Sequence, residues 1–310
     1  MIIEGVKSVL AQTWSRFRRF IVYVRQHPFK SLLFAAIAGF CSLFLLFLII
    51  YLGAFGKLPS KAYLKSLKNP VTSTIYASNK EPIGYYYLQN RSNADSSQIK
   101  PALMQALVAT EDSRFYQHRG IDYKSYARVL IKSIILQQNA GGGSTITQQV
   151  AKNLFGREQQ FFLSTPINKI REIFIARRLE SIYDKEDIIL LYFNTVSFGE
   201  NIYGIEKAAF RFFNKSPEEL TLPESATLVG LLKAPSYYNP RNFPERAEQR
   251  RNVVLSQMLK YDYITPETFE KAQAPLKLNY QTPKKVSSFS AYFKDYVAAE
   301  FALWAEDNPA

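Results

Sequence analysis

The spacing of hydrophobic residues changes along this chain, and each spacing predicts a different element. Residues 32–52 form the uncharged run LLFAAIAGFCSLFLLFLIIYL, which is long enough to cross a bilayer as a helix. We predict a retained transmembrane anchor there. A cleaved signal peptide is the alternative, but residues 1–31 precede the run and no small-residue cleavage site follows it closely.

After this run, a short region with strand character gives way to helical spacing. The segments VTSTIY and PIGYYYL lie within residues 71–88 and flank Ser78–Glu81, which predicts a hairpin near the membrane. Beyond them, apolar residues recur at helical intervals behind caps and prolines. The predicted helix starts are Pro101, Asp122, Thr145, Thr165, Ser216, Pro244 and Thr265. The predicted fold is therefore mainly α, with little material for a large sheet.

The charge is strongly basic on both sides of the apolar run. The chain has 39 lysines and arginines and 26 acidic residues. Six of the basic residues and one of the acidic residues lie at positions 1–52, which leaves a net charge of +8 in the rest of the chain. The arginine-rich flank before the run favours a cytoplasmic N-terminus. Nucleic acid is not expected outside the cytoplasm, so anionic lipid or a phosphorylated lipid fits better. A generally basic surface is the alternative.

The segment EDSRFYQHRG, which ends at Gly120, offers acid–base chemistry. Glu111 would lie at the C-terminal end of a helix, where the dipole disfavours an anion and raises the proton affinity of the carboxylate, as suits a general base. Asp112 is either catalytic or a solvated or capping residue. For Phe115 a core position is favoured over a substrate wall, and for His118 a structural hydrogen bond is favoured over titration.

The segment GGGSTITQQ offers a site for phosphate. Thr145 and Gln148 match a capping box directly after Gly141–Gly143. A helix that begins there would turn free backbone N–H groups towards an anion, and Lys152 lies one turn along the same face. The combination suits a pyrophosphate, whereas the glycines alone would predict only a flexible turn.

Two later segments leave alternatives open. Phe161–Leu163 could dip into the outer leaflet or form a buried satellite cluster. Lys169 and Glu172 are three residues apart on one predicted helix face, so Glu172 is either a second active-site carboxylate or half of a surface ion pair. Cys41, the only cysteine, lies inside the apolar run and is expected to pack there.

Four segments in order closely resemble the peptidoglycan glycosyltransferases, which are the polymerase module of class A penicillin-binding proteins and their monofunctional relatives. The segments are EDSRFYQHRG, GGSTITQQVAKN, NKIREIFIARRLE and KEDIILLYFNTVSFGENIYGIEKAAFRFF. The resemblance extends over residues 70–260. It departs from the family pattern at Asn168, where an arginine is usual, which removes the expectation of one basic contact but leaves Lys169 and Glu172 in register.

The resemblance implies a lysozyme-like, mostly helical domain with a small membrane-near subdomain, which polymerises lipid II. Glu111 matches the general base, which would deprotonate the acceptor 4-hydroxyl. Glu172 matches a second carboxylate near the diphosphate, a role that could involve a divalent cation, Mg²⁺ or Mn²⁺, bound by Glu172. The predicted substrate-binding residues are Asp112, Phe115, Gly142, Ser144, Thr145, Gln148, Gln149, Lys152, Asn153, Lys169 and Asn194.

The implied reaction inverts an α-linked diphosphate to a β-glycosidic bond and releases undecaprenyl diphosphate. The expected partners are lipid II, the growing glycan strand, the bacterial cytoplasmic membrane and other cell-wall synthesis proteins, with no nucleic acid. Two alternatives are a lysozyme-like peptidoglycan hydrolase and an inactive, membrane-anchored scaffold that binds lipid II. A hydrolase would give no reason for a basic, glycine-rich diphosphate site, and the intact Glu111 and Glu172 argue against the scaffold.

The expected domain order follows from these segments. It is a cytoplasmic segment at 1–31, a transmembrane helix at 32–52, a linker at 53–70, the glycosyltransferase domain at 71–275 and a connector at 276–310. The connector is similar to the one that leads into a serine transpeptidase domain. Ser97–Lys100 spells S-x-x-K, but it precedes the first motif and no Lys-Thr-Gly follows it. We therefore expect the N-terminal part of a bifunctional synthase, cut or naturally short.

Overall fold

The computed structural model describes residues 22–66, 96–132, 142–157 and 164–275, together with the short segments 73–76, 82–86 and 90–91 and a few single positions. The predicted Phe161–Leu163 tip and nearly all of the predicted connector at 276–310 lie outside the described residues. The chain divides into two compact units, Met1–Leu58 and Pro59–Ala310.

Among its described residues, the first unit contains one long apolar helix, α1, Pro28–Tyr51. It begins four residues before the predicted run, because Pro28 occupies the first helical turn, where its missing N–H is no loss. Its 24 residues correspond to about 36 Å, and most of its side chains are exposed. By length and composition α1 can span a membrane, which supports a membrane-anchored protein.

The described residues of the second unit form helices and two very small sheets. The helices are α2 Lys61–Ser66, α3 Pro101–Glu111, α4 Tyr123–Leu130, α5 Ile146–Phe155, α6 Ser164–Leu179, α7 Lys185–Thr195, α8 Ile205–Phe213, α9 Leu222–Leu231, α10 Pro244–Lys260 and α11 Pro266–Ala272. The strands are β1 Ser73–Tyr76, β2 Pro82–Tyr86, β3 Asn90–Arg91 and β4 Ile202–Tyr203. The prediction of a mainly α fold is confirmed.

The strands form two separate pairs. β1 and β2 are antiparallel, with Ser73 opposite Tyr86 and a register shift between Ile75 and Tyr76, which confirms the strand pairing of the predicted hairpin. β3 and β4 are parallel and join chain segments more than 100 residues apart.

Local capping determines where most helices begin. The Asp122 side chain accepts hydrogen bonds from two backbone N–H groups of α4, and Thr145 and Gln148 form the predicted capping box at α5. The box at Ser216 behaves differently, because it starts only a 3-10 turn, Pro217–Glu219. Leu220 and Thr221 are then extended, and a second capping box between Thr221 and Glu224 starts α9.

Two groups of helices form the core. In one, α9 packs on α10 and both pack on α3; in the other, α5 packs on α6 and α7. Leu103 and Leu107 of α3, Leu228 of α9 and Leu255 of α10 are fully buried in the first group. The chain passes from α3 of the first group to α5 of the second. EDSRFYQHRG at 111–120, here called the first motif, and GGSTITQQVAKN at 142–153, the second motif, therefore lie where the two groups meet.

Gly120 allows the loop after α3 to pass close to α6. Its φ is +81°, a left-handed conformation, and a Cβ there would lie 3.0 Å from the backbone carbonyl of Ala176. The Thr145 hydroxyl donates to the Gly120 carbonyl at 2.8 Å. Gly120 therefore ends the first motif at a point fixed to both α6 and the start of α5.

Candidate active site

A cavity of about 650 Å³ opens between the two predicted motifs and α10. One side consists of the end of α3, the loop at Gly142–Thr145, α5 and α6. The other side consists of the end of α9 and one face of α10. Both predicted carboxylates, Glu111 and Glu172, line this cavity.

Glu111 is the last residue of α3, where it was predicted to lie. Its Oε2 accepts a hydrogen bond from Gln149 Nε2 at 3.1 Å, and Gln149 Oε1 accepts one from the Tyr192 hydroxyl at 3.3 Å. Burial raises the pKa of Tyr192 well above its usual value, and the nearby charge of Glu111 adds to this. Tyr192 therefore stays protonated and fixes the Gln149 amide with its NH₂ group towards Glu111.

Asp112 is buried rather than solvated. One of its oxygens accepts from the backbone N–H of Ile146 at 3.1 Å, and its carboxylate lies 3.0 Å from His118 Nε2. Asp112 thus joins the first motif to the first turn of α5. His118 has the structural hydrogen bond that the sequence favoured.

Four of the predicted substrate residues, Phe115, Asn194, Asn153 and Lys169, are not among those that line the cavity. Phe115 is fully buried, and the Lys185 ammonium lies 4.3 Å from the centre of its ring. The side-chain amide of Asn194 exchanges two hydrogen bonds with the backbone of Ala94. Asn153 also lies off the cavity, with a buried Nδ2 that has no hydrogen-bond partner among the described residues.

Lys169 is the centre of the second motif's contacts. Its ammonium donates to Ser144 Oγ at 2.6 Å, Gln148 Oε1 at 3.0 Å and Glu172 Oε2 at 3.1 Å. Arg157 Nε donates to the other oxygen of Glu172 at 2.7 Å. Burial lowers the pKa of Lys169, an effect that the Glu172 carboxylate partly opposes. Glu172 is thus a buried cavity residue that is paired, rather than half of a surface ion pair.

The start of α5 differs from the expected free helix end. The Ile146 N–H donates to Asp112, and the Gln148 N–H donates to Thr145 Oγ1 at 3.2 Å. Those donors are therefore not free for a phosphate. Exposed cations that line the same cavity, Lys152 and Arg157, are the groups placed to meet an anion.

Comparison with known proteins places this arrangement in a family. Residues 79–259 match the model of the transglycosylase family. The chain belongs to that family. The resemblance drawn from the four motifs, to the glycosyltransferase module of class A penicillin-binding proteins, is confirmed, and with it the prediction of an enzyme of cell-wall synthesis.

Curated relatives resemble this transglycosylase over most of its length. It is 38% identical over 246 residues to penicillin-binding protein 1A of Escherichia coli, covering 79% of this chain and 28% of that protein. It is 38% identical over 269 residues to penicillin-binding protein 1A of Aquifex aeolicus, covering 86% and 36%. The chain thus spans about a third of the length of these relatives.

A solved structure is also similar. The crystal structure of penicillin-binding protein 1A from Haemophilus influenzae is 26% identical in sequence, with a TM-score of 0.42. The match covers 74% of this chain and 24% of that one.

The sequence motifs did not indicate the α10 side of the transglycosylase cavity. Arg250, Val253, Gln257 and Lys260 line it from one face of α10, and Lys233 lines it from just beyond α9. The spacing of the α10 residues, three, four and three apart, is typical of one helix face. That spacing, with the cations Arg250 and Lys260 at its two ends, is the sequence feature that could have indicated the α10 side of the cavity.

The surroundings of Glu172 do not fit a divalent cation. Both oxygens of Glu172 already accept from cations, Arg157 and Lys169, and hard divalent cations need several oxygen ligands. Among the described residues, no group of three or more histidine, cysteine, aspartate or glutamate side chains could hold a metal ion.

Proposed function

We propose that this cavity polymerises lipid II into glycan strands, with inversion at the anomeric carbon and release of undecaprenyl diphosphate. The observation that carries the proposal is that one cavity is lined both by a carboxylate held by a neutral amide, Glu111 with Gln149, and by the cations Lys152 and Arg157, whose charges also act on Lys169. The first group suits a base and the second suits a diphosphate.

Glu111 acts on the acceptor. Its carboxylate takes the proton of the acceptor 4-hydroxyl while that oxygen forms a bond to the anomeric carbon of the donor. Gln149 donates a hydrogen bond to Oε2 of Glu111, which leaves Oε1 without a partner among the described residues. A single base is enough for inversion, because attack and departure take place on opposite faces of the sugar.

The cations act on the donor. As the bond between the anomeric carbon and the diphosphate oxygen breaks, its electron pair goes to the diphosphate, whose growing charge Lys152, Arg157 and Lys169 stabilise. Lys169 is already fixed by three acceptors, so little reorganisation is needed during the reaction. A diphosphate is a good leaving group, and no general acid is required.

The membrane setting follows from α1 and the substrate. The lipid tails of both substrates require a bilayer near the cavity, and α1 can provide the anchor. We place the N-terminus in the cytoplasm and the second unit on the outer side of the cytoplasmic membrane, where it would work with other cell-wall synthesis proteins.

The test is polymerisation of labelled lipid II by the purified chain in detergent or vesicles. Wild type is expected to form glycan polymer, and Glu111→Gln is expected to lower the rate by about 10²–10⁴-fold, the range for loss of a general base. The matched control is Glu267→Gln, which changes a fully exposed glutamate in α11.

The same assay separates the alternative functions. Cleavage of finished glycan without polymer formation would support a hydrolase, and lipid II binding without turnover would support a scaffold. Either result would contradict the proposal, as would a Glu111→Gln variant that polymerises at the wild-type rate.

A further inference from the structure

A second cluster of polar side chains lies behind the catalytic residues. Thr147, Glu180 and Lys185 do not border the cavity, and the reaction described above does not use them. The Thr147 residue is fully buried, and the side chains of Glu180 and Lys185 are 4% and 19% exposed. We call these three residues the loop clamp.

Lys185 connects the loop clamp to the first motif. Its ammonium donates to the backbone carbonyl of His118 at 2.7 Å and lies 4.3 Å from the centre of the Phe115 ring. Both contacts fall within the loop that begins directly after Glu111. Lys185 therefore restrains the path of this loop at two points.

Glu180 connects Lys185 to α5. Its Oε2 accepts from Lys185 at 2.7 Å, and its Oε1 accepts from the Thr147 hydroxyl at 2.6 Å. Glu180 Oε1 also lies 4.0 Å from His118 Nδ1. A buried carboxylate with these partners is held far more firmly than an exposed ion pair.

Glu180 of the loop clamp and Asp112 accept hydrogen bonds from neighbouring residues of α5. Asp112 accepts from the Ile146 N–H, Glu180 accepts from Thr147, and Gln149 lies two residues further along and reaches Glu111. The distance between the base and the residues that meet the diphosphate depends on how the loop sits on α5. Together with the hydrogen bond from Thr145 to the Gly120 carbonyl, these contacts fix that position from behind.

We propose that the loop clamp is a positioning unit. It holds the loop that follows Glu111 against α5, so that Gln149 donates its hydrogen bond to the Glu111 carboxylate. This inference rests on the proposed function for its kinetic consequence. Because the clamp acts through the base and touches no substrate, its loss is expected to lower kcat and to leave KM nearly unchanged. A misplacement of about 1 Å in such a site can cost about 10²-fold in rate.

Thr147→Val is the sharpest variant, because it removes the hydroxyl and keeps the shape of the side chain. We expect kcat for lipid II polymerisation to fall about tenfold or more, with KM changed less than twofold. Thr147→Ser restores the hydroxyl and is expected to recover most of the wild-type kcat. The matched control is Thr227→Val, since Thr227 is also buried and its hydroxyl donates to the carbonyl of Pro223 within α9.

Amide hydrogen exchange provides a readout that needs no activity. In Thr147→Val, exchange of the Ile146 N–H and of the loop residues 113–118 is expected to speed up, whereas Thr227→Val leaves both unchanged. If wild type does not polymerise lipid II, the proposed function fails and the exchange measurement still decides the clamp. The clamp is overturned if Thr147→Val exchanges as slowly as wild type, or if it keeps full kcat in an enzyme that polymerises.

Discussion

The two sides of the cavity differ in how their charged groups are satisfied. On the side of the motifs, Glu172, which lines the cavity, has two cationic donors, and Lys169, which contacts three lining residues, has three acceptors. On the α10 side, Lys233 and Arg250 have no ion-pair or hydrogen-bond partner among the described residues, and Arg250 has only a ring, that of Tyr238, at 5.9 Å. The first side is preorganised for chemistry, whereas the second has charges that a ligand can satisfy.

Among the variants that test this comparison of the two sides, Lys169→Met has the largest expected effect, because Lys169 is at the centre of the contacts of the preorganised side. Lys169→Met removes a cation next to the departing diphosphate and frees Ser144, Gln148 and Glu172 from their common donor. We expect kcat to fall about 10²–10³-fold, as on loss of a preorganised donor to a developing anion. Steady-state polymerisation of lipid II measures this, and Lys271→Met on α11 is the control for loss of a charge.

Lys169→Arg tests the same side of the cavity through the pH dependence of activity. Because burial lowers the pKa of Lys169, its cation is lost at a lower pH than that of an ordinary lysine, and wild-type activity should decline early on the alkaline side. Arginine keeps its charge throughout this range. The alkaline decline should therefore move to higher pH in Lys169→Arg, and an unchanged alkaline limb would contradict a catalytic role for the Lys169 cation.

On the α10 side, substitutions of two adjacent arginines should have different effects, one on substrate binding and the other on stability. Arg250 lines the cavity, whereas Arg251 is 1% exposed and donates to the carbonyls of Ala274 and Gln273 at 2.9 and 3.0 Å. Arg250→Met should raise KM about tenfold, the equivalent of one charged hydrogen bond, without a change in melting temperature. Arg251→Met should instead lower the free energy of unfolding by about 2 kcal/mol.

Thermal unfolding and steady-state kinetics of the two variants form one experiment, in which each is the control for the other. Equal effects of both variants on KM would show that the α10 side is only a structural support. A fall in kcat rather than a rise in KM for Arg250→Met would assign that arginine to the chemistry.

Local features of the site were predictable from the sequence. The capping box of Thr145 and Gln148 depends on residues three apart, so the start of α5 was correctly placed. The position of Glu111 at the end of α3 likewise followed from Pro101 and the apolar spacing. Four motifs in order were enough to identify the family.

Features that depend on distant contacts were not predictable. The sequence predicts a free N–H at Ile146, but Asp112, 34 residues earlier, accepts from it. Arg250 and Arg251 cannot be told apart by residue type, because only the packing of α10 decides which one turns to the cavity. The same limit applies to Asn194, whose partner Ala94 is 100 residues away.

The smallest expected effect tests how far the preorganisation extends behind Glu111. Tyr192→Phe removes the hydroxyl that fixes Gln149 and leaves the buried ring in place, so Gln149 can turn its oxygen towards the Glu111 carboxylate. Loss of one neutral hydrogen bond of about 1 kcal/mol predicts a fall in kcat of about fivefold. The control is Tyr183→Phe, whose hydroxyl donates to the Leu64 carbonyl at 2.7 Å away from the cavity. If both variants keep the wild-type kcat, Gln149 is oriented without Tyr192, and the preorganised side ends at the residues that line the cavity.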